Sequence, residues 1–446
     1  MKAFLKRLLH LQPGEAGIVL VLGLLLLSNS MAQQVSGIVA VSGFLEEGGV
    51  NQILVVWSVD MILIVVTTAL QSLIIDRFDR ITLIRWLAFA FAALFAGLRA
   101  LFTFVPVGWL NYSLLYLVSE QQWLFFPLVF WVLGNDVFDM AQSKRLFPVI
   151  ASLGFVGKLV GIGIAAVSPG LFAQMGIKPE EILNLNILIY MFAFLLISTG
   201  LEKAKVRRTA QKHETVRETL TEGWGFVREV LSFRYLMLAI VALIVCDTVL
   251  EFRFLVVSDQ TFVSPGSYQT FYSLYRLCFT LASFAIQSLL TSRIIGRVGL
   301  KNAFLILPFS ALTGAAWMLA LPGIVSSVGG MVLQKLPAFT VDESARKAFQ
   351  ALVPEERRGR VSMFMDSYLF AAGTLIGCAS TGAIIFLGLQ LNLSRYFYAY
   401  LVVGLLAALI AIWAVFKMRA VYDSSLFNWR LKRRQRGSSV LDKLDF

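Results

Sequence analysis

Charge is scarce in this chain. Only 15% of its 446 residues are Asp, Glu, Lys or Arg, while 58% are hydrophobic; soluble domains carry about 25% charged residues. No single globular core can hide that much apolar surface, so lipid is the expected solvent. Histidine is also scarce. His10 and His213 both fall in segments expected on the cytoplasmic side, which argues against imidazole-based metal or proton chemistry within the membrane. The three cysteines, Cys246, Cys278 and Cys378, sit in separate apolar runs, which argues against a disulfide framework. Enzyme signatures are missing too: there is no His-Glu-x-x-His and no Gly-x-Ser-x-Gly. Gly154-Phe-Val-Gly-Lys158 lacks both the spacing of a phosphate-binding loop and a strand before it. Neither an enzyme nor a metal or cofactor site is expected.

What the chain has in abundance is apolar runs of the roughly 20 residues that cross a bilayer as a helix. Twelve are predicted, near 14–41, 50–75, 81–104, 109–135, 148–174, 181–201, 234–257, 266–292, 302–321, 323–342, 362–388 and 394–416. The basic N-terminal arm and the apolar run behind it resemble a signal peptide, but eleven further runs and no clear cleavage site favour a retained first helix. The net charge of +12 would suggest nucleic acid in a soluble protein; here the placement of the charges decides. With both termini cytoplasmic, 32 of the 39 Lys and Arg residues fall on the inner side, against only Lys178 and Arg395 outside. The positive-inside rule thus sets the orientation of a multi-pass integral membrane protein, expected in a bacterial inner membrane, with no nucleic-acid partner.

The longest inner loop divides the spans six and six. The expected organisation is an N-terminal bundle at 1–201, a cytoplasmic linker at 202–233, a C-terminal bundle at 234–416 and a basic tail at 417–446. Val216, Leu220, Val227 and Leu231 in the linker have near-helical spacing and predict an amphipathic surface helix. The halves repeat weakly at an offset of 216 residues: Gly157-Lys-Leu-Val-Gly161 aligns with Gly373-Thr-Leu-Ile-Gly377, and Lys144 with Arg360. Close helix approach is one reading of these glycines.

Ionisable residues at mid-bilayer cost about 2.5–3.5 kcal/mol on insertion scales and almost always face a bundle interior or a wet cavity. Those in the spans are Asp60, Arg99, Glu120, Lys158, Asp247, Glu251, Arg253, Arg276 and Lys335, with Asp366 near the inner end of span eleven. Glu120 reads either as a helix-packing group or as a cavity residue. Lys158 can hold an anionic group or pair with Glu120. Asp247 and Glu251, four apart, share a helix face; proton coupling and a salt bridge to Arg276 or Lys335 are both open. Span one contributes neutral groups, among them Gln33 and Gln34. Near mid-membrane, Lys158, Arg253, Arg276 and Lys335 balance Asp60, Glu120, Asp247 and Glu251. Such a site suits a zwitterionic or singly anionic solute, or proton coupling.

Twelve spans in two like-oriented halves, with Asp76-Arg-Phe-Asp-Arg80 after the second, resemble the major facilitator superfamily, whose halves are related by a pseudo-twofold along the membrane normal. The fold class implied is an all-α membrane protein of two pseudo-symmetric six-helix bundles. Glu120, Phe130-Trp131, Asn135, Lys144-Arg145, Phe147 and Leu250-Glu251 are similar to motifs of the nucleotide transporters, the ATP:ADP translocases, and their wider bacterial relatives. The resemblance implies a secondary transporter working by alternating access. It casts Glu120 and Glu251 as acidic transport residues, and Asp76, Arg77, Arg80, Lys144 and Arg145 as inner gating-loop residues. A nucleotide or other phosphorylated metabolite is the first substrate expectation. A proton-driven carrier of a lipid, drug or other amphiphile is the second, and a non-transporting membrane scaffold or sensor is the third. The implied partners are a small solute, membrane lipids and a proton or counter-substrate, around a monomer.

Overall fold

The structure, a computed structural model, describes residues 15–75, 78–105, 107–201, 221, 224, 225, 228–264, 266–350, 353, 361–393 and 395–441. The described residues form helices and turns, without a strand. The principal helices are α1 (Ala16–Gly48), α2 (Ile53–Ile75), α3 (Arg80–Phe104), α4 (Gly108–Val137), α5 (Met140–Met175), α6 (Leu183–Gly200), α7 (Leu231–Thr261), α8 (Ser267–Leu289), α9 (Ile306–Ala320), α10 (Ile324–Pro337), α11 (Leu369–Gln390) and α12 (Phe397–Leu441). Nine helical stretches among the described residues are long and apolar enough to cross a membrane, or ten if α8 and the bent helix after it count as one. The helices α4 and α7 are not among the nine, although their 30 and 31 residues exceed the roughly 20 that a crossing needs. They are also the helices that carry Glu120, Asp247 and Glu251.

By their contacts the residues gather into two compact units. The first comprises Met1–Val56, Val66–His213 and Asp259–Thr280; the second comprises Trp57–Val65, Glu214–Ser258 and Leu281–Phe446. The Val216, Leu220 and Val227 of the expected linker helix lie outside the described residues, as do Asp76 and Arg77.

The first unit is organised around α1, which packs most extensively on α5 and then on α4 and α6. Glycine on α5 makes this possible. A Cβ at Gly161 would lie 2.5 Å from the Met31 carbonyl oxygen, and one at Gly157 would run into Leu27 backbone. Asp79, in the loop motif before α3, accepts a hydrogen bond from the Thr82 amide at 3.1 Å and caps that helix. Asp139 and Gln142 form a reciprocal capping box at the start of α5.

The second unit repeats the close approach with its own helices. A Cβ at Gly377 on α11 would lie 2.7 Å from Thr248 Cβ on α7, and one at Gly373 would lie 2.8 Å from Ile244 Cβ. Separately, α9 packs on α10 and α12. Two π-helical turns interrupt the regular helices here, at Ala338–Asp342 after α10 and at Phe364–Tyr368 before α11. Pro337 accounts for the start of the first: proline has no amide proton to offer the Leu333 carbonyl four residues back. The Ser310 hydroxyl donates to that carbonyl instead, at 2.6 Å.

Candidate functional site

In the second unit, α7 places Asp247 and Glu251 one turn apart, and α10 brings Lys335 to both. The Lys335 ammonium donates to Asp247 Oδ2 at 2.7 Å and to Glu251 Oε2 at 2.8 Å. The three side chains are partly open, with relative exposures of 18% for Lys335, 18% for Asp247 and 31% for Glu251. One cation between two carboxylates leaves a formal charge of −1 when all three are ionised. Charge-assisted bonds of this kind are strong. Removing one partner of such a cluster leaves an uncompensated buried charge, so the group departs at low cost only when another ion or a proton replaces it. Gln334, the neighbour of Lys335, donates to the Leu243 carbonyl on α7 at 3.4 Å and ties the two helices at the same level.

The first unit holds a neutral counterpart. Ser36 on α1 donates to Gln122 Oε1 on α4 at 2.6 Å. The Gln122 amide donates to the Tyr190 hydroxyl on α6 at 2.8 Å, and that hydroxyl donates to Asn29 Oδ1 on α1 at 2.7 Å. Every member is buried. The Tyr190 ring stacks on Phe91, with centroids 5.2 Å apart, which fixes its orientation. Gln34 donates to Gln33 Oε1 at 2.6 Å within this buried pair, while Gln34 Oε1 has no hydrogen-bond partner among the described residues. On α4, Glu120 is half-buried. Gln121 has both its amide atoms buried without a hydrogen-bond partner among the described residues. The middle of this glutamate and glutamine run therefore has three distinct surroundings. Lys158, on α5, is exposed.

Other sequence candidates lie elsewhere. Arg253 is 8% exposed and packs against α12: its guanidinium stands 4.1 Å from the Phe397 ring centroid and donates to the Tyr400 hydroxyl at 3.4 Å. That is a helix-packing position, away from the lysine and carboxylate cluster. Arg276 belongs to the first unit and lies beside Tyr272, with its Nη1 3.5 Å from the phenol oxygen. Asp60 is buried in the second unit. Of the inner loop residues, Arg80 pairs with Asp136 at 3.4 Å and Arg145 with Glu15 at 2.7 Å. The side chain of Lys144 lies outside what the structure describes.

Sequence reasoning did not foresee a charge cluster below Lys335. Arg346 lies 2.9 Å from Asp342 and 3.8 Å from Asp366; Lys347 also pairs with Asp366, and Gln350 donates to it at 3.1 Å. Asp342 and Asp366 each sit in one of the two π turns. The available signal was Pro337, a proline two residues past Lys335. Tyr190 was missed because its span carries no charge.

No family model matches the chain. Solved structures do. The nucleoside transporter NupG aligns over 91% of this chain and 98% of its own, with a TM-score of 0.63 at 16% identity. An auto-inhibited peptide transporter of the POT family aligns over 89% and 96%, with a TM-score of 0.64 at 14% identity. The chain has the major facilitator fold. Both of these proteins are named as membrane transporters rather than enzymes. In sequence, the chain is similar to ADP,ATP carrier protein 3 of Rickettsia typhi, with 36% identity over 61 residues. That segment is 13% of this chain and 12% of the carrier's length.

Proposed function

We propose that this chain is a secondary-active transporter of a small solute, working by alternating access about a site at mid-membrane. The observation that carries this reading is the Lys335 bridge to Asp247 and Glu251. It is a partly open ion cluster on two helices of a fold shared, over nine-tenths of the chain, with transporters. Ionisable groups within membrane spans commonly mark the path of a solute or coupling ion. The charge bias supports cytoplasmic termini.

The substrate reading is a nucleotide or another phosphorylated metabolite. Its support is the motif resemblance together with the 61-residue similarity to an ADP,ATP carrier. In that reading a phosphoryl group takes Lys335, and the released carboxylates accept protons or the charge of a counter-substrate. A second reading, proton-driven transport of an amphiphile, is favoured by the excess of carboxylates over cations in the cluster, two against one. Glu120 serves as an acidic transport residue in either reading, on the motif resemblance; Lys158 is exposed and Arg276 lies beside Tyr272.

Purified protein reconstituted in proteoliposomes tests this. Exchange of internal for external nucleotide without a pH gradient supports the first reading; uptake that requires the gradient supports the second. Lys335→Ala should reduce transport to background while the protein remains monodisperse. Wild-type rates in Lys335→Ala would remove the cluster from the mechanism, and a wild type that moves no solute under either regime would leave a scaffold or sensor.

A further inference from the structure

A cavity of about 580 Å³ lies wholly within the first unit, at the end where α1, α5 and α7 finish. The charge bias assigns this end to the outer face. Its volume falls in the range of small-molecule sites and is far larger than the roughly 30 Å³ a single water occupies. Two kinds of group line it. Among the described residues, Glu46, from the last turn of α1, and Asp259, from the last turn of α7, supply its charged side chains, and none of the described Lys, Arg or His residues lines it. Tyr112, Phe172, Phe262 and Tyr268 supply aromatic surface.

The wall carrying these groups is built onto α5. Gln269 donates to the Ala165 carbonyl at 2.8 Å and to the Ser168 hydroxyl at 3.0 Å. Gly266 takes φ +74°, and a Cβ there would stand 2.8 Å from Pro169 Cβ, so the turn depends on glycine both for its conformation and for its fit. Phe262 stacks on Phe271 with centroids 4.2 Å apart. The cavity therefore has anchored aromatic walls.

Carboxylates and ring faces attract the same kind of ligand. The face of an aromatic ring carries partial negative charge and binds ammonium-type cations; an anion would meet both carboxylates with no compensating donor cation. A hard metal ion fits poorly. Calcium-type sites need six to eight oxygen ligands, and no group of three or more His, Cys, Asp or Glu among the described residues is placed to hold a metal. We propose that this cavity is a binding site for an organic monocation with an apolar body, separate from the Lys335 cluster.

Full-length protein in nanodiscs tests this with two probes of one shape and opposite charge, tetraphenylphosphonium and tetraphenylborate. Saturable retention is measured by equilibrium dialysis against empty nanodiscs. The cation should bind and the anion should not. Glu46→Gln combined with Asp259→Asn should weaken binding of the cation by about tenfold. Phe262→Ala should weaken it by a smaller factor, and Lys335→Ala should leave it unchanged. Equal retention of both probes, no saturable binding of either, or a cation affinity unaltered in the double variant would each overturn the proposal. So would stronger cation binding in Lys335→Ala, which would assign the probe to the two carboxylates that the lysine leaves free. Because the comparison of probes uses the wild type, it decides the question even if the double variant fails to fold.

Discussion

The first helix of one unit and the first helix of the other meet their neighbours in the same way but with different chemistry. In the first unit, α1 is tied to α4 through Ser36 and Gln122, both neutral and buried, with Tyr190 and Asn29 completing the chain of bonds. In the second, α7 is tied to α10 through Asp247, Glu251 and Lys335, all ionisable and partly open. The backbone frame around each is shared. Gly157 and Gly161 let α5 approach α1, while Gly373 and Gly377, 216 residues on, let α11 approach α7. A neutral, fully satisfied network rigidifies its surroundings. An ion cluster that is partly open can exchange a partner for a solute ion or a proton. Under the proposed function the exchangeable cluster lies in the second unit, and the neutral network of the first stays in place.

The largest effects should come from breaking the shared frame. Gly161→Val and Gly377→Val each place carbon where a backbone carbonyl or Thr248 already stands, and overpacking commonly costs about 1–3 kcal/mol, occasionally more. Both variants should elute as aggregate or melt well below wild type in a thermal assay. Tolerance of one but not the other would mean that the two frames are not energetically alike.

Next in size are the variants that separate the two chemistries. Neutralising the whole cluster, Asp247→Asn, Glu251→Gln and Lys335→Met together, should abolish transport in proteoliposomes with little change in melting temperature, because no uncompensated charge is left behind. Tyr190→Phe should do the converse, because it leaves Asn29 Oδ1 and the Gln122 amide without their shared partner. A buried group left unpaired costs about 1–3 kcal/mol, read as a lower melting temperature with transport retained. A Tyr190→Phe protein that is stable but inactive would refute the assignment of the first unit as a passive frame. The smallest effect is expected for Lys347→Ala. This lysine is 56% exposed, and exposed ion pairs contribute about 0–1 kcal/mol, so chemical denaturation should barely distinguish the variant from wild type.

Much of this was legible from residue pattern. Apolar runs announced the helices, and Asp247 with Glu251 announced a shared face because a helix returns nearly to the same side after four residues. Lys335 was among the open choices for their partner. Gln122 bonds two neighbouring helices, through Ser36 on α1 and Tyr190 on α6. Arg253 was grouped with the cavity charges because it lies on the same helix as Asp247 and Glu251; two residues beyond Glu251 it points to a different side and reaches Phe397 and Tyr400. Tyr190 gave no signal, since a tyrosine in an apolar span looks like any other aromatic there. The π turns were hidden as well: a proline marks a weak point in a helix but does not say how the carbonyl it strands will be satisfied.

By itself the sequence determined that this chain is helical and lipid-embedded, that its basic residues cluster in loops and tail, and that two glycine pairs recur at one offset. These properties follow from local composition and helical period. Which ammonium reaches which carboxylate was decided only by tertiary packing. Lys335 stands 88 residues from Asp247 and 84 from Glu251. Helical period sets the direction of a side chain about its own axis, whereas the neighbour it meets depends on how closely two helices approach, which here is governed by where glycine leaves room.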